Sequence, residues 1–173
     1  MPSIEAQTYK NIETTIIKDE RWNGLNWAKN KGMKNAKGKY TMFCDDDIIL
    51  EKTCIEKMVN ALEGTNFSVA FCDFKQEGAI KGVHRAGAWD YERLKKGNYI
   101  SGIALIRTKD IPVLPEGIKR LVDWDLWLTF CENNKGGVYI PEILFTAFYQ
   151  EDGISLGNDY QKWHNIVCKR HQQ

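Results

Sequence analysis

Short β-branched and aromatic runs alternate along the chain with segments whose apolar positions recur every three or four residues, the pattern of an α/β domain. Strands are predicted over residues 12–17, 40–44 and 67–74. Between the first two, Leu25, Ala28, Gly32 and Ala36 mark one face of a helix within 23–36, and Gly38 stands where it would stop. Between the second and third, Thr53 and Glu56 have capping-box spacing, Ile55, Met58, Val59 and Leu62 form an apolar face, and Gly64 closes the helix. From 75 to 98 the pattern breaks into glycines among charged residues, which predicts hairpins and loops over the sheet. A strand over 100–106 follows, then a helix that starts near Asp123 and stops before Gly136. Residues 138–140 predict a short edge strand ahead of Pro141. Tyr160, Trp163, Val167 and Cys168 share a face of a packed terminal helix over 159–170.

The chain of 173 residues suits one hydrophobic core, so a single domain over 1–173 is expected, with a mostly parallel sheet flanked by helices. Twenty-four basic residues against 23 acidic ones leave a net charge of +1, no footprint for nucleic acid or an anionic membrane surface. No apolar run is long enough for a membrane span. The start, Met1-Pro2-Ser3-Ile4-Glu5, lacks the basic and apolar parts of a signal peptide, so a cytoplasmic protein is expected. Five cysteines without a C-x-x-C pair suggest neither a zinc site nor a disulfide framework. Cys44 and Cys72, inside apolar stretches, read as small buried hydrophobes.

The most informative stretch is Tyr40-Thr41-Met42-Phe43-Cys44-Asp45-Asp46-Asp47, an apolar strand that runs directly into three carboxylates. On an extended chain Asp45 and Asp47 face one side and Asp46 the other. Such a pair of oxygen ligands suits Mg²⁺ or Mn²⁺, with substrate phosphates and water completing the shell. Ligands of open α/β sheets bind beyond the carboxyl ends of strands, where this cluster falls. Taken alone, it fits phosphoryl hydrolases, nucleotidyltransferases and sugar transferases equally.

Several segments, in order, resemble a family 2 glycosyltransferase of the GT-A fold. Gln7-Thr8-Tyr9-Lys10-Asn11-Ile12-Glu13 resembles the segment joining the family's first helix to its second strand, and Ile16-Ile17-Lys18-Asp19 that strand's end. Asn26-Trp27-Ala28-Lys29-Asn30-Lys31-Gly32 is similar to the stretch before the metal motif, and Asp45-Asp46-Asp47 falls on its D-x-D. Val122-Asp123-Trp124-Asp125 resembles the acidic motif carrying the general base, and Tyr139-Ile140-Pro141-Glu142 the closing strand. The family's opening strand has no counterpart here, and Lys29 stands at its usual arginine.

The resemblance implies a GT-A-like domain that transfers a sugar from a nucleotide-sugar donor, a UDP-sugar foremost, to a glycan, protein or lipid acceptor with inversion. It implies that Asp45 contacts the donor's ribose or sugar and shares a Mn²⁺ or Mg²⁺ ion with Asp47. Asp19 would meet the nucleotide base and Asn30 the donor side. Asp123 would be the catalytic base, a role its place in a helix's first turn also suits, since that end favours an ionised carboxylate. Trp89, among the loop glycines, is a candidate platform for an acceptor sugar. The alternatives are a catalytically silent nucleotide- or glycan-binding domain and a metal-dependent phosphohydrolase or nucleotidyltransferase.

Overall fold

The computed structural model describes residues 2–151, 153 and 159–172. After helix α1 (Pro2–Glu5), Gln7 serves an element far along the chain. Its Nε2 donates to the carbonyls of Ser3 and Glu51 at 2.9 and 2.8 Å, and its Oε1 accepts the N–H of Ile55 at 3.0 Å. Ile55 lies in the first turn of the helix Cys54–Leu62, so Gln7 fills one of the orphan donors there. The expected local capping box is not made. Thr53 makes no side-chain cap bond, and Glu56 instead accepts the hydroxyl of Thr8 at 2.8 Å.

Residues 12–17 have no regular secondary structure and join no ladder among the described residues, and Ile16 is 69% exposed, so the first predicted strand is not formed. Side-chain contacts hold the segment instead. The Glu13 carboxylate accepts the N–H groups of Lys37 and Gly38 at 2.7 and 3.1 Å.

Helix α2 (Leu25–Met33) leads into β1 (Tyr40–Met42), β2 (Ile48–Leu50), α3 (Cys54–Leu62), β3 (Val69–Gly78), β4 (Gly82–His84), α4 (Tyr91–Lys96), β5 (Leu105–Arg107), α5 (Val122–Glu132), β6 (Gly137–Tyr149) and α6 (Tyr160–Arg170). The sheet order is β1-β5-β3-β6-β2, with β4 also on β3. Of these pairs β3–β6 is parallel and the others are antiparallel. The α/β class therefore holds, but the sheet is mixed rather than mostly parallel: β3 turns back through the β4 hairpin and β5 enters reversed. Nor is the strand before Pro141 an edge. β6 continues through the proline and lies between β3 and β2. The ladder accommodates the missing N–H by a register shift, from Cys72 opposite Ile140 to Asp73 opposite Ile143.

Strand β3 divides the core. Its Val69 and Phe71 join a cluster with Trp124, Trp127 and Phe130 of α5, while Ala70, Cys72 and Phe74 join Met58 and Leu62 of α3 and Phe145 of β6. Alternate residues thus face opposite layers, and the strand reads as a continuous apolar run because both faces are covered. Burial pushes the Cys72 thiol up to about 12, as suits a residue used for packing. Trp89, the candidate sugar platform, is half-buried and packs against the core. It packs edge-on against Phe71 and Trp127, each at 6.0 Å between ring centres. Its ring leaves no space at Gly137, where a Cβ would come within 2.6 Å of Cε3 of Trp89 and 3.0 Å of Phe71. Gly137→Ala is expected to cost about 1–3 kcal/mol, the usual penalty of overpacking, read as a lower midpoint in urea at unchanged slope.

The tail packs back as its periodicity predicts, with Trp163 and Val167 buried. Both ends of α6 are tied to the neighbourhood of α5. Arg120 pairs with Asp159 at one end. At the other, Asp125 accepts Arg170 Nε at 2.8 Å and His171 Nε2 at 3.0 Å, and Glu132 takes His171 Nδ1 at 2.7 Å. Burial opposes a charge on His171, but the carboxylates at both ring nitrogens outweigh it and hold the imidazolium above the ordinary histidine range.

Candidate active site

Strands β1 and β2 stand at opposite edges of the sheet, and residues 43–47 connect them. Four inter-strand spacings amount to roughly 19 Å, close to the ~21 Å that six residue steps reach when fully extended. Asp46 and Asp47 nevertheless lie in a turn, so the sheet curls to bring its edges within reach. The three aspartates are thereby carried across the end of the fold, all solvent-accessible. Strand β1 ends at Met42, so the strand alternation expected to align Asp45 with Asp47 is not present.

Asp45 is open to solvent yet recessed against protein, and its carboxyl is pushed above the usual range by that burial; Lys29 opposes the shift, while Asp47, Asp123 and Asp46 add to it. Asp47 is raised as well, by burial and by Asp46. Its carbonyl accepts the N–H of Phe148 at 3.0 Å, which anchors the turn to the end of β6. Asp46, Asp47, Ile49, Phe148 and Gln150 line an open groove of about 430 Å³ beside it.

Asp123 comes to this locus from the first turn of α5, which begins after Leu121 in a left-handed conformation at φ 57°. Its Oδ1 accepts the N–H of Trp124 at 2.9 Å and its Oδ2 accepts Asn98 Nδ2 at 2.8 Å. Burial pushes the carboxyl up; Lys29, the Trp124 N–H and Asn98 pull it down without overcoming burial. Lys29 on α2 is thus the cation that acts on both Asp45 and Asp123, and its Nζ lies 5.2 Å from the centre of the Phe43 ring. Gly102 packs beside Asp123: a Cβ there would meet that of Asp123 at 3.4 Å.

The structure therefore brings Asp45, Asp47 and Asp123 to one locus, while Asp19 and Asn30 are engaged elsewhere. Asp19 accepts Asn23 Nδ2 and the Gly24 N–H, each at 2.7 Å, and the Gly24 bond leads in lowering its carboxyl below the usual range. Asn30 spends its amide on Leu114, accepting its N–H and donating to its carbonyl, each at 2.9 Å, and so ties α2 to the segment before α5. Asp125, the neighbouring acid of the motif, is buried under Arg170 and His171. The resemblance marked Lys29 as standing at the family's usual arginine, but its action on both Asp45 and Asp123, and the bond from Asn98 to Asp123, appear only in the fold.

Among the described residues no group of three or more histidine, cysteine, aspartate or glutamate side chains is placed to hold a metal ion. Asp45 and Asp47 offer the two hard carboxylates that Mg²⁺ or Mn²⁺ takes when phosphates and water complete its shell. Burial leads in raising both carboxyls and neighbouring aspartates add to it; it is the chemistry of two hard carboxylates that fits a divalent cation.

A curled mixed sheet between helical layers, with acids at the end of β1 and at the start of α5, defines a domain of the GT-A class. The chain belongs to glycosyl transferase family 2, whose sequence profile matches residues 3–109. Structures of S. aureus TarS share the fold. TarS 1-349 in complex with UDP-GlcNAc superposes with a TM-score of 0.67 at 17% identity over 86% of this chain and 46% of that one. The same protein in complex with UDP gives 0.63 at 16% identity over 85% and 45%. TarS itself gives 0.61 at 15% identity over 86% of this chain and 27% of that chain. This chain thus spans less than half the length of these structures. No curated protein sequence matches it.

Proposed function

We propose that this domain, a single unit over residues 1–173, transfers a sugar from a UDP-sugar to an acceptor hydroxyl with inversion at the anomeric carbon. The observation that carries this is the convergence of Asp45 from the end of β1 and Asp123 from the start of α5 on one lysine, Lys29. Family membership supports nucleotide-sugar chemistry, and the TarS complexes with UDP and UDP-GlcNAc make uridine the first nucleotide to test.

Asp45 and Asp47 would hold Mn²⁺ or Mg²⁺, which when bound supplies Lewis-acid stabilisation to the diphosphate. Asp45 would also contact the donor's ribose or sugar, whereas Asp19 and Asn30, engaged within the fold, are given no donor contact. Ionised Asp123 accepts the acceptor hydroxyl's proton as that oxygen bonds to the anomeric carbon. The bond from that carbon to the diphosphate breaks on the opposite side, and UDP leaves with the electron pair. Lys29 favours the ionised forms of both Asp45 and Asp123 against the burial that raises them.

The test is thermal unfolding with UDP, GDP, CDP and dTDP, with and without Mn²⁺, on wild type and Asp47→Ala. A ligand at a hundredfold its Kd stabilises by about 2.7 kcal/mol, which raises the midpoint by roughly 5–10 °C for a chain of this size. UDP is expected to give that rise only with Mn²⁺ and only in wild type. A UDP shift unaffected by chelator and by Asp47→Ala removes the metal from the account. No shift with any nucleotide turns the reading to a silent binding domain.

A further inference from the structure

Asp123 does not stand alone on its helix, and its partner is held as firmly as it is. Asn98 follows α4, and its two amide ends are engaged in opposite senses: Oδ1 accepts the N–H of Ile100 at 3.2 Å, while Nδ2 donates to Asp123 Oδ2 at 2.8 Å. An N–H at the oxygen end fixes which end faces the carboxylate, so the side chain presents a donor and cannot turn over to present an acceptor.

The backbone around Asn98 is fastened to the helix that carries Asp123. Two indole N–H groups of α5 reach across, Trp124 Nε1 to the carbonyl of Leu94 at 2.7 Å and Trp127 Nε1 to that of Ile100 at 3.0 Å. They bracket Asn98 in sequence, and both tryptophans are fully buried. From the other side His84 Nε2 meets the Tyr99 carbonyl at 2.8 Å. The Tyr99 hydroxyl accepts the N–H of Asp90 at 2.7 Å and donates to the Ala88 carbonyl at 2.8 Å. Segment 94–100 and the first turns of α5 are therefore one rigid piece, with the Asn98–Asp123 bond inside it.

We infer that Asn98 is the positioning residue of the base, holding the Asp123 carboxylate in one orientation and favouring its ionised form. This rests on the reading of Asp123 as base. With Trp124 N–H on Oδ1 and Asn98 on Oδ2, each oxygen keeps one lone pair, and these are the sites open to an acceptor hydroxyl. The charged groups facing Asp123 are Lys29 from α2, which favours its ionised form, and Asp45, beyond the end of β1, which bears like charge; the Trp124 N–H and Asn98 act in the same direction as Lys29, against burial. A hydrogen bond to an ionised group stabilises that form more than one to a neutral group.

The test compares wild type, Asn98→Ala, Asn98→Ser and Asp123→Asn by two readouts. One is the pH titration of the Asp123 side-chain carboxyl by ¹³C NMR, assigned by its loss in Asp123→Asn. The other is UDP release from UDP-GlcNAc and water with Mn²⁺. Asn98→Ala is expected to move the Asp123 midpoint upward and to lower kcat about tenfold to a hundredfold, the loss associated with one hydrogen bond to a charged group. Donor KM should stay within about twofold, as expected for an interaction used in the chemical step. Asn98→Ser, with a shorter donor, should fall between the two, and it carries the comparison if the alanine variant fails to fold. An unmoved midpoint in the folded variants overturns the inference. A moved midpoint with Asp123→Asn as active as wild type leaves Asn98 tuning Asp123 and instead overturns the assignment of Asp123 as base.

Discussion

Asp123→Asn is expected to lower kcat about a thousandfold, within the range attributed to general acid–base catalysis, with little change in donor KM. An amide cannot take the hydroxyl proton. The fold should persist, because the substitution is nearly isosteric and its penalty is local. One of the two donors facing the carboxylate, the Trp124 N–H or Asn98 Nδ2, meets an NH₂ group instead of an oxygen. One such mismatch costs about 1–3 kcal/mol, a few degrees in Tm, and cannot account for the loss of rate in protein that remains folded. The pH dependence has a definite sign. Burial holds the Asp123 carboxyl above the usual carboxylate range, and only the ionised form accepts a proton. Activity should therefore fall on acidification at a pH higher than an ordinary aspartate would give. Full turnover by Asp123→Asn would end the case for this base.

The second large effect is on stability and lies away from the reacting atoms. Asp73, fully buried in β3 at the register shift of the sheet, accepts Arg85 Nη1 at 2.7 Å, the Tyr139 hydroxyl at 2.7 Å and the Ala86 N–H at 3.0 Å. Burial drives its carboxyl up, but the bonds from Tyr139, Arg85 and Ala86 together outweigh it and leave it below the usual range. Asp73→Ala strands the tyrosine hydroxyl and the Ala86 N–H, while Arg85, with a side chain 66% exposed, turns to water. Two unsatisfied groups predict a loss of about 2–6 kcal/mol, or roughly 4–24 °C in Tm. A depressed carboxylate contributes stability above its unfolded value and loses it as pH falls through its folded value. Wild-type Tm should accordingly decline more steeply than that of Asp73→Ala below about pH 4, the ordinary aspartate range. A Tm within 1 °C of wild type at neutral pH, together with parallel acid curves, would show that this network does not stabilise the fold.

What could be read from the sequence was what depends on neighbours in the chain. Helix α5 follows from the spacing of Trp124, Trp127, Leu128 and Cys131, and β3 from an unbroken apolar run. Residues 12–17 have the composition of a strand, but pairing needs a second backbone alongside, and composition does not supply one. The start of α3 carried a local capping signal, yet the occupant is Gln7, from the other end of a 48-residue separation. Pro141 read as the end of an edge strand because the register shift that accommodates it belongs to the pairing with β3. The site divides in the same way. Asp45, Asp47 and Asp123 were legible as acids at the ends of elements, whereas Lys29 and Asn98 acquire their roles only by facing them.

The order of strands also bears on how the molecule comes into being. Apart from the β3–β4 hairpin, the ladders join distant residues: Tyr40 with Arg107, Val69 with Gly137, and Ile48 with Ala147. Such non-local pairing must overcome loop-closure entropy before contacts reward it, and it places folding toward the slow end of the range for small domains. During synthesis β2 and one side of β3 have no partner until β6 has left the ribosome, so their backbone edges remain open until then. An unpaired edge is a template for another chain. Yield of soluble protein should depend on the speed of elongation and on chaperone supply more than the stability of the finished fold would suggest.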